Sequence, residues 1–363
     1  MIVLGSTGSI GRNSLELARK FGIKIEALSC NKNYKLLNAQ IAEFKPKFVC
    51  ISDENLKNLI THDKVFCGAD GILDMLENCK SEFVINALVG FAGLCPSVKT
   101  QELGKVLALA NKESLVVGGK FLKTKEIRAI DSEHFGLKFL LENKTKVANL
   151  IITASGGAFY KTPLKVLNSV TPEMALKHPN WNMGTKITID SATMANKLFE
   201  IIEAYHLYGI KRIEAVIERS SIVHALVNFI DGSTTAHLSK ADMKLAIAWA
   251  ICGRVTEQIL EPLNLCELAK LSFKKINLKK YPIFSLKDDL LKNPDLGVII
   301  NAANEIGVEA FLQKKCKFTD ISKIVFKSLD KFANLKPNSV DELCEIDKKV
   351  REFANLQICK FKN

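Results

Sequence analysis

Along the first 110 residues, short apolar and β-branched runs alternate with longer segments whose apolar positions recur every three or four residues. "MIVL" is followed by "SIGRNSLELARKF" and "KIEALSC" by "YKLLNAQIAEF"; then come "KFVCIS", "FVINAL" and "KVLALA". The short runs read as strands and the longer ones as amphipathic helices, an alternation that predicts βαβ units around a parallel sheet. Past about residue 130 the rhythm changes. "VANLIITASGGAF", "IEAVIE" and "SIVHALVNFIDGSTTAHL" predict further strands, the last a hairpin turning at "DGS". "KITIDSATMANKLFEIIEAYHLYG" predicts a strand running into a long helix that Gly209 ends. From about residue 277 the chain reads as almost entirely helical, with the three- and four-residue spacing of a small bundle, and 253–277 reads as a linker.

Composition narrows this picture only a little. A chain of 363 residues is too long for one ordinary core, so two or three domains are expected. Hydrophobic residues make up 47% and charged ones 25%, as in soluble globular proteins, and no stretch approaches the roughly 20 apolar residues of a membrane span. The N-terminal "MIVLGSTGSIG" lacks the basic leader of a signal peptide. Ten scattered cysteines without a CxxC pair suit reduced thiols, and the expected location is the cytoplasm. The net charge of +12 attracts anions in general, but the lysines are not interleaved with stacking aromatics. Neither nucleic acid nor a membrane is an expected partner; a phosphorylated small molecule is.

Candidate chemistry lies at the ends of the predicted strands. "GSTGSIG" (Gly5 to Gly11) follows the first strand and opens a helix, where glycines let the backbone approach a pyrophosphate at the helix N-terminus. The second strand ends "SCNKN", with Lys32 between Asn31 and Asn33. Its end has no carboxylate to accept from a ribose diol, Glu26 lying too early in the strand, which favours NADP over NAD. "LANKESL" places Asn111, Lys112 and Glu113 at another strand end, either as a helix start or as ligand contacts. "IDSEH" sets Asp131 and Glu133 two positions apart, and two such charges require protonation, solvation or a cation. "ITASGGAF" offers Ser155 and a glycine turn for an anion, and "KHPNWNMG" reads as a flap or a packed loop around Trp181. Ser191 is expected near a helix N-terminus, and Asn196, Glu200 and Glu203 share one helix face beside Lys197. A capping serine and a solvated polar face explain that last group equally well. Asp131, Glu133 and a carboxylate of the Asn196/Glu200 face could jointly hold a hard cation, Mg²⁺ or Mn²⁺. Together these features suggest a metal-assisted reaction on a phosphorylated, sugar-like carbonyl compound.

The set "GSTGSIG", "ANKESLV", "DSEH", "SGG", "HPNWNMG", "DSATMANK" and "NAANE" (301–305) resembles, in order and spacing, the 1-deoxy-D-xylulose 5-phosphate reductoisomerase family. That resemblance implies an α/β fold in three parts. They are an N-terminal Rossmann-like dinucleotide-binding domain (1–130), an α+β catalytic and connective domain carrying a homodimer interface (131–252), and a C-terminal helical bundle (278–363) beyond the 253–277 linker. It implies NADPH and Mg²⁺ or Mn²⁺ as cofactors. The implied metal ligands are Asp131, Glu133 and Glu200, with Lys112, Ser132 and Glu133 on the substrate. The implied phosphate pocket is Ser155, His178, Ser191, Asn196 and Lys197, with Trp181 in a flap. Thr7, Gly8, Ser9, Ile10, Asn31, Lys32, Asn33, Asn111, Glu113 and Gly184 are the implied cofactor contacts. The chain departs from the family pattern at Asn31, at "NKLFE", at "ERSSIVHALV" (218–227) and at "SKADMKLAI" (239–247). Apart from Asn31, none of these is expected to touch an assigned residue. An NADP-dependent dehydrogenase of another phosphorylated carbonyl compound would share the first domain without needing the three carboxylates. An anion-binding protein without catalysis would explain only the charge.

Overall fold

A computed structural model describes residues 1–142, 145–268 and 270–361; residue 269 of the expected linker and residues 362–363 of the expected bundle lie outside the described residues. The chain divides into two compact units, 1–114 with 120–135 and 242–260, and 115–119 with 136–241 and 261–363.

The first unit is built on seven parallel strands: β1 (Ile2–Leu4), β2 (Ala27–Cys30), β3 (Phe48–Ile51), β4 (Val65–Cys67), β5 (Phe83–Asn86), β6 (Val106–Leu109) and β7 (Arg128–Ala129). Their order is β4-β3-β2-β1-β5-β6-β7, with Ile2 in register with Ala27 on one side and Val84 on the other. Alternate strand residues bury on opposite faces. Val3, Leu28, Val49 and Ile85 pack under helices Ser9–Lys20 and Tyr34–Phe44, while Ile2, Leu4, Ala27 and Val84 pack under helix Gly68–Asn78. Both faces of a parallel sheet are thereby covered. The order reverses between β1 and β5, and the crevice at such a switch point is where open α/β sheets bind ligands.

Segment 242–260 belongs to this unit, whereas the sequence groups 242–252 with the middle domain. The reason is apolar burial: Ile247, Ala248 and Ala250 of helix Lys244–Cys252 join the core beside Leu15 and Ala18, and Lys244 pairs with Glu16 at 2.5 Å.

The second unit holds β8 (Val147–Ala154), β9 (Ile213–Glu218), β10 (Val223–Phe229), β11 (Thr234–Leu238) and β12 (Phe273–Lys275), in the order β11-β10-β8-β9-β12. Only β8 and β9 run parallel; β10 and β11 form the expected hairpin. The three-residue β12 lies inside the stretch expected as linker. Helix Leu296–Leu312 is buried along nearly its whole length against Phe318–Phe332 and Val340–Phe361. Gly297 lets it approach the main chain of Val116, since a β-carbon there would sit 1.9 Å from the Val116 carbonyl oxygen.

One predicted element is corrected. The strand expected at the start of "KITIDSATMANK" is instead part of helix Thr185–Thr193. Gly184 starts it, Thr188 Oγ1 donates to the Gly184 carbonyl at 2.8 Å, and Lys186 pairs with Asp190 four residues on at 2.9 Å. Thr188, Ile189, Ala192 and Thr193 bury at helical spacing, so packing overrides the β-branched composition. Ser191 therefore lies in a helix's last turn, not at an N-terminus. Met194, left-handed at φ 67°, joins this helix to helix Ala195–Tyr208, which Gly209 ends at φ 68°.

Candidate active site

The glycine turn after β1 separates its glycines by purpose. Gly5 has φ 79°, and a β-carbon on it would lie 2.5 Å from the Ala87 carbonyl oxygen; one on Gly11 would lie 2.3 Å from that of Gly5. These two glycines serve the chain's own close packing. Gly8 does not: it is exposed, begins helix Ser9–Lys20, and a β-carbon on it would meet only the Gly5 carbonyl oxygen, at 3.3 Å, leaving the approach open to a ligand. Thr7, Ser9 and Ile10 are half-buried around it. Beyond β2, Asn31, Lys32 and Asn33 are exposed, and Asn33 Oδ1 caps helix Tyr34–Phe44 by accepting from Leu36 N at 3.2 Å.

Asn111 is buried and its side chain is engaged within the unit. Its amide donates to the carbonyls of Leu88 (2.9 Å) and Gly90 (2.8 Å) and to Glu113 (3.1 Å), while its oxygen accepts from Ser114 N at 3.0 Å. That arrangement fixes the start of helix Lys112–Gly118 and presents Lys112 and Glu113, both nearly buried. Lys112 Nζ lies 3.3 Å from Asp131 Oδ2. The cation that "IDSEH" requires is thus in part the protein's own. Asp131 has a second task, because its Oδ1 accepts from Glu133 N (3.0 Å) and His134 N (3.2 Å) and so caps helix Ser132–Leu141. Ser132 Oγ donates to Glu133 Oε2 at 2.5 Å.

In the second unit, Ser155–Gly156–Gly157 turns sharply after β8, with both glycines left-handed at φ 79° and 65°. A β-carbon on Gly157 would fall 2.6 Å from Ala192 Cα, so only glycine lets this turn abut Ser191–Ala192. Ser155 Oγ lies 2.9 Å from His178 Nε2. Burial, and then the charge of Arg219, push the His178 pKa down to about 4. Trp181 is half-buried, its ring edge-on to His224 at 6.2 Å, in a mostly exposed loop that ends at Gly184.

The polar face of helix Ala195–Tyr208 is not solvated. Lys197, Glu200 and Glu203 are 3%, 1% and 3% exposed. Lys197 Nζ and Asn196 Nδ2 donate to the two oxygens of Glu200. Burying two charges costs more than a surface pair returns, and losing one partner strands the other. The cap-and-solvent explanation fails here. Ser155, His178 and Ser191 come together around the glycine turn, and Asn196, Lys197 and Glu200 occupy the first turns of the helix that follows Ser191.

Sequence reading missed Arg219. The expectation that 218–227 touches no assigned residue is corrected: Arg219 donates to the carbonyl oxygens of Ser155 and Gly157, the latter at 3.3 Å. It also missed Asp190, which Asn304 of "NAANE" holds at 2.7 Å and Lys186 at 2.9 Å. Glu305 of the same motif pairs with Arg351 at 2.6 Å. Nothing in the structure explains Lys240.

A parallel sheet covered on both faces, with a glycine turn at its switch point, defines the Rossmann-like dinucleotide-binding class. Comparison with known proteins gives the particular family. Models described as 1-deoxy-D-xylulose 5-phosphate reductoisomerase, its C-terminal domain, and DXP reductoisomerase C-terminal domain match residues 1–119, 127–208 and 238–353. The chain is 66% identical over 358 residues to the 1-deoxy-D-xylulose 5-phosphate reductoisomerase of Campylobacter hominis, covering 99% of each. It is 62% identical over 357 residues to that of Campylobacter curvus, covering 98% of each. A crystal structure of DOX-P reductoisomerase in complex with NADPH, fosmidomycin and magnesium is similar, with a TM-score of 0.92, 33% identity, and coverage of 100% of this chain and 98% of that one. The Zymomonas mobilis enzyme in complex with NADPH is similar too, with a TM-score of 0.88, 34% identity and 98% coverage of each chain. The chain belongs to the 1-deoxy-D-xylulose 5-phosphate reductoisomerase family.

Proposed function

We propose that the protein rearranges 1-deoxy-D-xylulose 5-phosphate and reduces the product with NADPH to 2-C-methyl-D-erythritol 4-phosphate, in non-mevalonate isoprenoid synthesis. One observation carries the reading: in a chain 66% identical to a curated reductoisomerase, Lys197 and Glu200 are almost fully desolvated, a cost without structural return. The donor set Asp131, Glu133 and Glu200 is three carboxylates with no sulfur or imidazole, which fits Mg²⁺ or Mn²⁺. Bound there, the cation would supply Lewis acidity for the substrate's carbonyl and hydroxyl oxygens. NADPH would supply the hydride. The exposed Gly8 and Lys32 fit its phosphates, and the chain around Lys32 offers no acid for a bare diol.

The chain's own residues bind and orient. Ser155, Ser191, Asn196 and Lys197, with His178 behind Ser155, form the pocket for the phosphate, the end of the substrate that does not react, so binding there fixes the reacting carbons. Lys112 and Ser132 orient the oxygens beside Asp131 and Glu133, and Trp181 shields the site from water. Asn31, Asn33, Asn111, Glu113 and Gly184, with Thr7, Ser9 and Ile10, frame the cofactor. We place the protein in the cytoplasm as a homodimer; among the described residues no helix is long and apolar enough to cross a membrane.

The test is NADPH oxidation with 1-deoxy-D-xylulose 5-phosphate, before and after chelation. The reading expects turnover that needs both substrate and added Mg²⁺ or Mn²⁺. Full activity in chelator, or activity on another phosphorylated carbonyl compound alone, sinks it.

A further inference from the structure

The turn Glu218–Ser221 ties together two segments that the proposed function uses separately. Glu218, buried at the end of β9, accepts from Ser220 N (2.8 Å), Ser220 Oγ (2.5 Å), Ile222 N (3.0 Å) and Val223 N (3.3 Å), so its carboxylate holds the turn closed. Ser221 is held left-handed at φ 56°, a conformation that costs a serine free energy and persists where surroundings enforce it. From this turn Asn180 is anchored on one side, donating to the Arg219 carbonyl (2.7 Å) and Ser221 Oγ (2.8 Å). On the other side the Arg219 guanidinium bonds the Ser155 and Gly157 carbonyls and lies 4.6 Å over the Tyr160 ring.

Hydrogen-bond direction follows from those anchors. His178 Nδ1 accepts from the main-chain N–H groups of Asn180 (3.2 Å) and Trp181 (3.0 Å), so it carries no hydrogen. The ring hydrogen is therefore on Nε2, which donates to Ser155 Oγ at 2.9 Å. Ser155 Oγ also accepts from Gly157 N at 3.1 Å. A hydroxyl has two lone pairs and one hydrogen, and with both lone pairs taken its hydrogen can only be donated elsewhere. A phosphate oxygen, rich in lone pairs and lacking hydrogens when fully ionised, is the partner that fits.

We propose that Arg219 is a positioning residue for phosphate recognition, holding the Ser155–Gly157 turn and the neutral His178 so that Ser155 acts only as a donor to a dianionic phosphate. This rests on the assignment of Ser155 and His178 to the phosphate pocket. The geometry is reinforced by charge. The side chain whose charge bears on His178 is Arg219, which together with burial disfavours the imidazolium that would displace both Nδ1 bonds.

The experiment is a double-mutant cycle with Ser155→Ala and Arg219→Gln, reading KM for 1-deoxy-D-xylulose 5-phosphate, KM for NADPH and kcat, with thermal unfolding as the folding check. Each single variant is expected to raise the substrate KM about tenfold, one hydrogen bond to a charged group's worth, and to leave the NADPH KM unchanged. The double variant should be no worse than Ser155→Ala, since Arg219 acts through Ser155. As pH falls, substrate KM should begin to rise at a higher pH in Arg219→Gln than in the parent, because removing the guanidinium raises the His178 pKa. Arg219→Lys keeps the charge and loses the fork, so it should raise KM without moving that profile, and it serves if Arg219→Gln does not fold. Additive losses, or an unmoved profile in Arg219→Gln, overturn the role of Arg219 while leaving the pocket standing. No KM effect from Ser155→Ala overturns the pocket assignment and the proposal with it.

Discussion

Residue types that carry chemistry were legible from the sequence; what each side chain touches was not. Lys112, Asp131, Glu133 and Glu200 stand out because few structural reasons place them beside apolar runs. The pairing of Lys112 with Asp131 across 19 positions, or of Arg219 with the Ser155 carbonyl across 64, leaves no trace in local periodicity. Asp131 as a helix cap was readable, since it precedes a helical run, but its metal candidacy hid that second role. For the cofactor, Lys32→Ala is expected to weaken NADPH binding by about 1–3 kcal/mol, a charge-assisted hydrogen bond, and to leave NADH binding nearly unchanged. Equal losses in fluorescence titrations with the two cofactors would remove Lys32 from 2′-phosphate recognition. For the metal, Glu200→Gln is expected to weaken Mg²⁺ binding and to cost several kcal/mol of transition-state stabilisation, while Glu203→Gln spares both. Isothermal titration with Mg²⁺ that finds the opposite order overturns the ligand assignment.

At the scale of elements, the parallel sheet was predictable because its strands are short apolar runs between amphipathic helices. Helix Thr185–Thr193 was not, since "KITID" has strand composition and only its buried spacing and the Lys186–Asp190 pair make it helical. Strand β12 escaped notice because it is a three-residue edge strand, exposed throughout, that pairs with β9. Glycines at element ends give a graded test. Gly209 has φ 68° and no neighbour within 4 Å of an added β-carbon, so Gly209→Ala should cost about 1 kcal/mol, the left-handed backbone alone. Gly157→Ala adds contact with main-chain atoms at 2.6–2.8 Å and should cost clearly more. Urea unfolding of the two variants checks the order, and an equal loss would show that the 155–157 turn can give way.

For the whole molecule, acidification is the informative stress. His178 and His206 have pKa values pushed down to about 4, each chiefly by burial, and His237 is lowered by burial as well. Between about 4 and 6.5 the unfolded chain binds protons at His178 and His206 that the folded chain does not. Stability therefore rises with pH across that window and is lost as pH falls through it. His206, packed against Gly119, carries on the order of 3 kcal/mol of this. A His206→Gln variant should show a flatter dependence of urea midpoint on pH between 4 and 6.5, and an unchanged slope would mean that another group dominates. The two-unit division was the least legible feature, because Ile247, Ala248 and Ala250 join a core whose other residues lie before residue 131. That placement has a consequence for synthesis on the ribosome. The N-terminal sheet emerges first, yet the helix that completes its cover is translated more than a hundred residues later, after strands β8 to β11 of the second unit. The nascent first unit must wait with an apolar face uncovered, so the pace of translation through 136–241 sets how long that face is open to chaperones or to misassociation.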